Sequence, residues 1–240
     1  MDWFSEWFDS PYYHILYKNR DEREAERFID ALCTHLQLPT FASIIDIPCG
    51  KGRHSIYLHK KGYTVQGADL SPESIKHAKA FEQEGLFFFN HDMREPFAEN
   101  KYDAVLNIFT SFGYFDDKKE DIRCIKAFVK GLKPGGILVI DFINVYKAVR
   151  NLQKEDTKII DGIHFLLKKE SDNRHIRKII QFEDKGRSYS YQEQVALLTK
   201  EDFLAYFEEA GLSLRTVFGD YQLSPFNKET SDRLILIAQK

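Results

Sequence analysis

Between Ser43 and Phe142, five short apolar runs alternate with helix-forming stretches, and this alternation restricts the fold more than any other feature. The runs are residues 43–47, 64–68, 86–90, 102–108 and 137–142. They have strand length and are apolar enough to be covered on both faces, as in a parallel sheet. Parallel neighbours need a crossover, usually a helix. One helix is expected from about Arg53 to Lys61, with Gly62 as its C-cap. A second opens at Ser71 with Pro72 in its first turn. A third runs from Lys118 to Leu132 and closes on Lys133-Pro-Gly-Gly136. Right-handed βαβ units and a doubly wound parallel sheet follow.

The flanks read differently. Residues 1–38 look helical, with Trp3/Trp7, Phe4/Phe8 and Tyr13/Tyr17 each four apart and Pro11 interrupting. Ala25, Phe28, Ile29, Leu32 and Leu36 form one stripe of a helix over 21–36, which Pro39 ends. After Val145 three runs with partial period-two alternation appear, around 164–167, 176–182 and 189–197. Ser171-Asp-Asn and Asp184-Lys-Gly separate them as hairpin turns. Thr199 and Asp202 form a capping box for a helix that stops at Gly211. Two final strands, 212–218 and 234–238, are expected as antiparallel neighbours at the sheet edge. We therefore expect a single domain over 1–240. Its parts are a helical lid (1–38), a ligand-binding core (39–150), an antiparallel β insertion (155–198) and a closing segment (199–240).

The net charge of -3 argues against a dedicated nucleic-acid surface. Cys33, Cys49 and Cys124 are scattered and form no C-x-x-C pair, which suits free thiols in a reducing compartment. The start of the chain is acidic and lacks the basic region of a signal peptide. No apolar run approaches the roughly 20 residues of a membrane span. A cytoplasmic monomer or homodimer is expected. The histidines show no ligand spacing, so no metal is expected.

Chemistry concentrates at the strand ends. A strand running through Asp46 into Gly50-Lys-Gly52 and then a helix lets backbone approach a ligand closely. An aspartate inside an apolar strand is costly unless it is paired. Asp69 ends the second strand at the offset expected of a carboxylate that accepts ribose hydroxyls, and Asp92 follows the third. One acid at or near the end of each of three successive strands points to a nucleoside cofactor.

These residues resemble the first motif of class I S-adenosylmethionine-dependent methyltransferases, an acid followed by G-x-G-x-G. Asp46 matches the acid, Pro48 replaces the first glycine, and Gly50 and Gly52 match. Similar D-x-P-C-G-x-G-R loops occur in a bacterial branch of small methyltransferases. The resemblance spans nearly the whole chain and includes the Lys133–Gly136 turn and the closing strands. It implies a Rossmann-like, doubly wound, mainly parallel seven-stranded sheet with an antiparallel edge strand, and S-adenosyl-L-methionine as cofactor. The loop with Pro48 and Cys49 would wrap the methionine part. Asp69, followed by Leu70, would hold the ribose. Asp92 would accept from the adenine amino group with Met93 beside the ring, and Asn107 and Ile108 would line the cofactor. Pro48 also removes one backbone N–H from the loop.

Around that cofactor, Tyr17 is expected to face the sulfonium and Arg20 to meet the methionine carboxylate. For a small-molecule acceptor the candidates are Tyr13 on the lid, Phe112 and Tyr114 after the fourth strand, and Asn144 and Tyr146 after the fifth. Arg187, with Tyr189 and Tyr191, belongs to an insertion that either roofs the site or makes a dimer contact. His54 and His91 are candidate bases, and no catalytic residue is assigned. Two alternatives stand beside this reading. Gly50-x-Gly52-x-x-Ser55 nearly matches a dinucleotide fingerprint, which would make the chain an NAD(P)-binding oxidoreductase. The same fold could also serve a non-catalytic S-adenosylmethionine-binding regulator.

Overall fold

The computed structural model describes residues 3–18 and 22–240. Two short helices open the chain, α1 (Trp3–Phe8) and α2 (Pro11–Leu16), followed by α3 (Glu22–Leu36). The core is β1 (Ser43–Asp46), α4 (Arg53–Lys60), β2 (Thr64–Asp69), α5 (Pro72–Lys79), β3 (Leu86–Asn90), β4 (Tyr102–Asn107), α6 (Lys118–Gly131) and β5 (Leu132–Ile143). Then come α7 (Val145–Arg150), β6 (Glu155–Ile160), β7 (Ile163–Ser171), β8 (His175–Asp184) and β9 (Arg187–Ala196). The chain closes with α8 (Lys200–Ala210), β10 (Ser213–Phe218) and β11 (Arg233–Gln239).

The main sheet has seven strands in the order β10-β11-β5-β4-β1-β2-β3. β1 pairs in parallel with both β2 and β4, so the chain winds outward on both sides of β1. The crevice beyond the strand ends at that reversal is where such sheets bind ligands. β11 runs antiparallel to β5, and β10 antiparallel to β11. The reversed strand thus lies one place in from the edge.

Alternation explains how the sheet is covered. Ile45, Val105, Leu138 and Ile140 pack on one face, with Phe128 of α6 and Phe203 and Phe207 of α8. Ile44, Val65, Ala104 and Val139 pack on the other, with Phe28, Ile29 and Leu32 of α3 and Leu58 of α4. Each buried Val, Leu, Ile or Phe among them contributes about 1.5–3 kcal/mol. The expected caps are present: Ser71 accepts from the Ser74 N–H, and Thr199 and Asp202 form the reciprocal box.

Two local expectations need correction. The insertion has four antiparallel strands, ordered β6-β7-β8-β9, where three runs were read. The extra strand, β6, is largely exposed, so burial imposes no strong alternation on its sequence. The fifth core strand begins at Leu132 and not at Ile137. Lys133–Gly136 forms an irregularity within it, across which the pairing with β4 shifts register. Gly136 is fixed there by sterics, since a Cβ would lie 2.9 Å from the Lys133 carbonyl oxygen.

The four-stranded sheet and the first two helices share a core. Trp7 and Leu16 are buried against Ile163, Phe165, Ile180 and Phe182. The N-terminal segment is therefore docked on the insertion, and together they cover the carboxyl ends of the core strands.

Candidate active site

The glycine loop is tied to the strands on both sides. Ile47 N–H donates to the Leu106 carbonyl at 2.9 Å, and Cys49 N–H to the Ala68 carbonyl at 2.8 Å. The Ile47–Pro48 peptide is cis. Gly50 (φ +56°) and Gly52 (φ +83°) are left-handed, a region that favours glycine. Sterics separate them: a Cβ on Gly52 would lie 2.7 Å from the Phe88 ring, whereas one on Gly50 would meet nothing within 4 Å. Gly52 is a packing glycine at the start of α4. Gly50 is an open one on the cavity wall.

Asp46 is fully buried and accepts from the Ser55 hydroxyl at 2.7 Å, while its other oxygen has no partner. Burial pushes its carboxyl up to about 7, with Ser55 opposing and the charge of Asp69 reinforcing the rise. Asp69 accepts from the backbone N–H of Gly50 at 2.7 Å and of Ser71 at 2.8 Å. Burial raises its carboxyl too, and those two donors work against the rise.

A cavity of about 300 Å³ lies over the strand ends. Its floor includes Pro48, Cys49 and Gly50 of the loop, Asp69 and Leu70 after β2, and Asp92 and Met93 after β3. Ile108 to Ser111, after β4, form one wall. The roof is aromatic: Trp3, Phe4 and Phe8 from α1, Tyr13 from α2, Tyr17 just after it, and Tyr114 from below. Trp3 and Phe8 meet the Tyr114 ring at 5.5 and 5.4 Å.

Glu193 of β9 holds this roof down. Its carboxylate accepts from Trp7 Nε1 at 2.8 Å and from the Tyr17 hydroxyl at 2.7 Å. Lys178 of β8 donates to the same carboxylate at 3.1 Å and also bonds the Tyr17 hydroxyl. Burial lowers the Lys178 ammonium, and Glu193 draws it back up. Sequence reading missed Glu193, although period-two alternation places it on the face of Tyr189 and Tyr191. Gln194 and Trp3 on the cavity wall were missed as well.

The cavity thus brings together Pro48, Cys49, Gly50, Asp69, Leu70, Asp92, Met93, Ile108, Tyr13, Tyr17 and Tyr114. Other expected site residues lie elsewhere. Asp46 sits behind the loop, bonded to α4. Gly52 is covered by Phe88. Asn107 is fully buried, donating to the carbonyls of Ile47 at 2.9 Å and Ser111 at 3.2 Å, so it braces the loops and does not reach the cavity wall. Phe112 is a core residue against Phe203. Asn144 caps α7 and donates to the carbonyls of Lys228 and Ser231. The Tyr146 ring lies under Lys228. Arg187 is exposed at the hairpin opposite Asp184. Arg20 lies outside the described residues.

Asp92 is engaged by Arg94, whose guanidinium donates to both carboxylate oxygens at 2.6 to 3.0 Å. Burial acts to raise the Asp92 carboxyl, but the Arg94 contacts hold it below the ordinary range. His54 stacks on Phe109 at 4.6 Å, and its Nε2 lies 3.1 Å from the Arg53 guanidinium. A guanidinium only donates, so that nitrogen accepts. His91 bonds the Glu95 carbonyl at 3.0 Å. Among the described residues no group of three or more His, Cys, Asp or Glu is placed to hold a metal. No described helix is long and apolar enough to cross a membrane.

Carboxylates at the strand ends beside the topological switch point are the arrangement in which doubly wound sheets receive nucleoside ligands. Residues 44–136 match the methyltransferase domain family. Residues 44–136 thus carry a methyltransferase domain, and the whole chain shares the fold of S-adenosylmethionine-dependent methyltransferases of known structure. Bacillus subtilis YqeM is 36% identical over 113 residues, which are 46% of this chain and 46% of that one. The chain thus spans less than half of that relative in the match. A dTDP-3-amino-3,4,6-trideoxy-α-D-glucopyranose N,N-dimethyltransferase of Streptomyces venezuelae is 23% identical over 216 residues, 86% of this chain and 91% of that one. The crystal structure of a S-adenosylmethionine-dependent methyltransferase from Clostridium acetobutylicum shares the fold, with a TM-score of 0.79, 20% identity and 95% of each chain covered. The dinucleotide alternative gives way to these findings. In the first turns of α4, Ser55 is buried and spent on Asp46.

Proposed function

We propose that this chain methylates an amino group of a small molecule held beneath the aromatic roof. The observation that carries the small-molecule reading is a partly covered cavity of limited volume. About 300 Å³ of space lies between the strand ends and a cover pinned by Glu193, which suits compact ligands. The amino-sugar N,N-dimethyltransferase similar over most of the chain supports nitrogen as the acceptor.

The residues present fit the cofactor. Asp69 presents a carboxylate for the ribose hydroxyls, and Gly50 leaves space where a side chain would stand. Asp92 would accept from the adenine amino group, with Leu70 and Met93 against the ring. Pro48, Cys49 and Gly50 would wrap the methionine part, Tyr17 would face the sulfonium, and Ile108 would line the same wall. Asp46, Gly52 and Asn107 would act by fixing the loops, not by touching the cofactor. S-adenosylmethionine supplies an electrophilic methyl group on a sulfonium.

The protein's own contribution is alignment and exclusion of water. Tyr13 and Tyr114 are polar groups beside the roof that would orient the acceptor. An amine that arrives neutral attacks with its lone pair and sheds its proton after transfer, so this reading requires no strong base. Label transfer from methyl-labelled cofactor, across amino-sugar nucleotides, glycine-type amines, phenols and thiols, tests the proposal. Label on amines supports it, and label confined to oxygen or sulfur acceptors contradicts it.

A further inference from the structure

The cavity wall after β4 has a conformation its residues do not favour. Phe109 (φ +61°) and Thr110 (φ +57°) are successive non-glycine residues in the left-handed region. Both line the cavity between Ile108 and Ser111. Such a conformation persists only where the surroundings over-determine it.

Here the surroundings are one ion pair between a buried carboxylate and a largely buried guanidinium. Asp141, on β5, is wholly buried and accepts the Phe109 N–H on Oδ2 at 2.7 Å. Its own carbonyl accepts the Thr110 N–H at 2.9 Å. Arg233, at the start of β11, donates from Nε to Oδ1 of Asp141 at 2.7 Å and from its terminal nitrogen to the Thr110 hydroxyl at 2.8 Å. Tyr221 completes the frame, with its hydroxyl 3.3 Å from Asp141 and its ring 5.3 Å from the Arg233 guanidinium. The same ring packs against Phe109 at 5.2 Å. Neither Asp141 nor Arg233 lines the cavity, so neither is placed to touch a ligand there.

We propose that Asp141 and Arg233 are positioning residues for methyl transfer, holding Phe109 and Thr110 left-handed so that this wall is shaped before ligands bind. The proposal rests on the cavity being the cofactor and acceptor site. Arginine serves because its planar fork reaches a carboxylate and a hydroxyl at once, which an ammonium does not.

The test combines Arg233→Gln, Arg233→Lys and Thr110→Gly with S-adenosylhomocysteine titration and amide exchange at 109–111. Arg233→Lys keeps the buried carboxylate paired, which guards against simple misfolding in Arg233→Gln. In each folded Arg233 variant, S-adenosylhomocysteine affinity is expected to fall about tenfold and exchange at 109–111 to rise at least tenfold. Adding Thr110→Gly, which suits a left-handed backbone without a brace, is expected to recover at least half of the lost affinity on a logarithmic scale. A merely structural arginine would show no such rescue. Changes below threefold in either readout, or no recovery with the added glycine, overturn the proposal. Failure of the unmodified protein to bind S-adenosylhomocysteine would count against the cofactor-site reading, and exchange at 109–111 would still decide the brace.

Discussion

Gly50 donates its backbone N–H to Asp69 at 2.7 Å, joining the glycine loop to the acid that ends the second strand. The loop and its carboxylate partner therefore form one unit rather than two separate contacts. Losing the carboxylate removes a charged acceptor and loosens the loop together. Asp69→Ala should weaken S-adenosylhomocysteine binding by on the order of 100-fold, about 2–3 kcal/mol by titration calorimetry. Amide exchange at Gly50 should quicken in the same variant. An affinity within threefold of the unmodified protein would contradict the role given to Asp69.

The two loop glycines should respond differently to a methyl group. Gly52→Ala places a Cβ 2.7 Å from the Phe88 ring on a left-handed backbone, whereas Gly50→Ala faces open space. Gly52→Ala should cost roughly 2–4 kcal/mol and lower the Tm by roughly 5–12 °C for a domain of this size. Gly50→Ala should cost only about 1 kcal/mol of stability but impair cofactor binding. Equal thermal losses in the two variants would contradict the distinction.

Asp46 should leave a pH signature in stability. Its carboxyl is raised to about 7 by burial, so the folded state holds a proton that the unfolded chain has already released. Stability from this group is present below the unfolded value near 4 and is lost as pH rises through about 7. Asp46→Asn removes the dependence. The stability difference, variant minus unmodified protein, should grow between pH 5 and 8 by about 2.6 kcal/mol in urea melts. Asp121, also raised to about 7, is present in both proteins and cancels in the difference. A difference that is flat with pH would contradict the assignment.

The roof depends on Glu193. Glu193→Gln leaves Lys178 buried without its carboxylate and weakens the anchoring of Trp7 and Tyr17. It should destabilise the fold by about 3 kcal/mol and speed dissociation of S-adenosylhomocysteine, measured by stopped flow on tryptophan fluorescence. Tyr17→Ala should likewise weaken binding. Unchanged dissociation rates in both variants would remove the idea that the cover retains the ligand.

The sequence was most legible where local pattern and site coincide. Gly50 and Asp69, which line the cavity, and the caps at Ser71 and Thr199 stand where their local spacing puts them, whereas Asp46 lies behind the loop on Ser55. β6 was illegible because it is exposed, with Ile159 open to solvent, and burial leaves no alternation to read. Asn144 was misread as a ligand residue although its place before a helix is itself a capping signal. Glu193 and Arg233 act through partners far away in sequence: Glu193 meets Tyr17 across 176 positions, and Arg233 meets Asp141 across 92. No local pattern encodes such pairs. Phe112 looks like a cavity residue because its neighbours are, but its ring packs in the core against Phe203.

Hydrogen exchange of the protein with and without S-adenosylhomocysteine, with NADH as the control ligand, tests the central claim most directly. S-adenosylhomocysteine should slow exchange together at 49–52, 69–71 and 92–93, the three strand ends that floor the cavity, and Asp69→Ala should abolish that protection. Protection by NADH and not by S-adenosylhomocysteine, or protection away from these segments, would contradict the account.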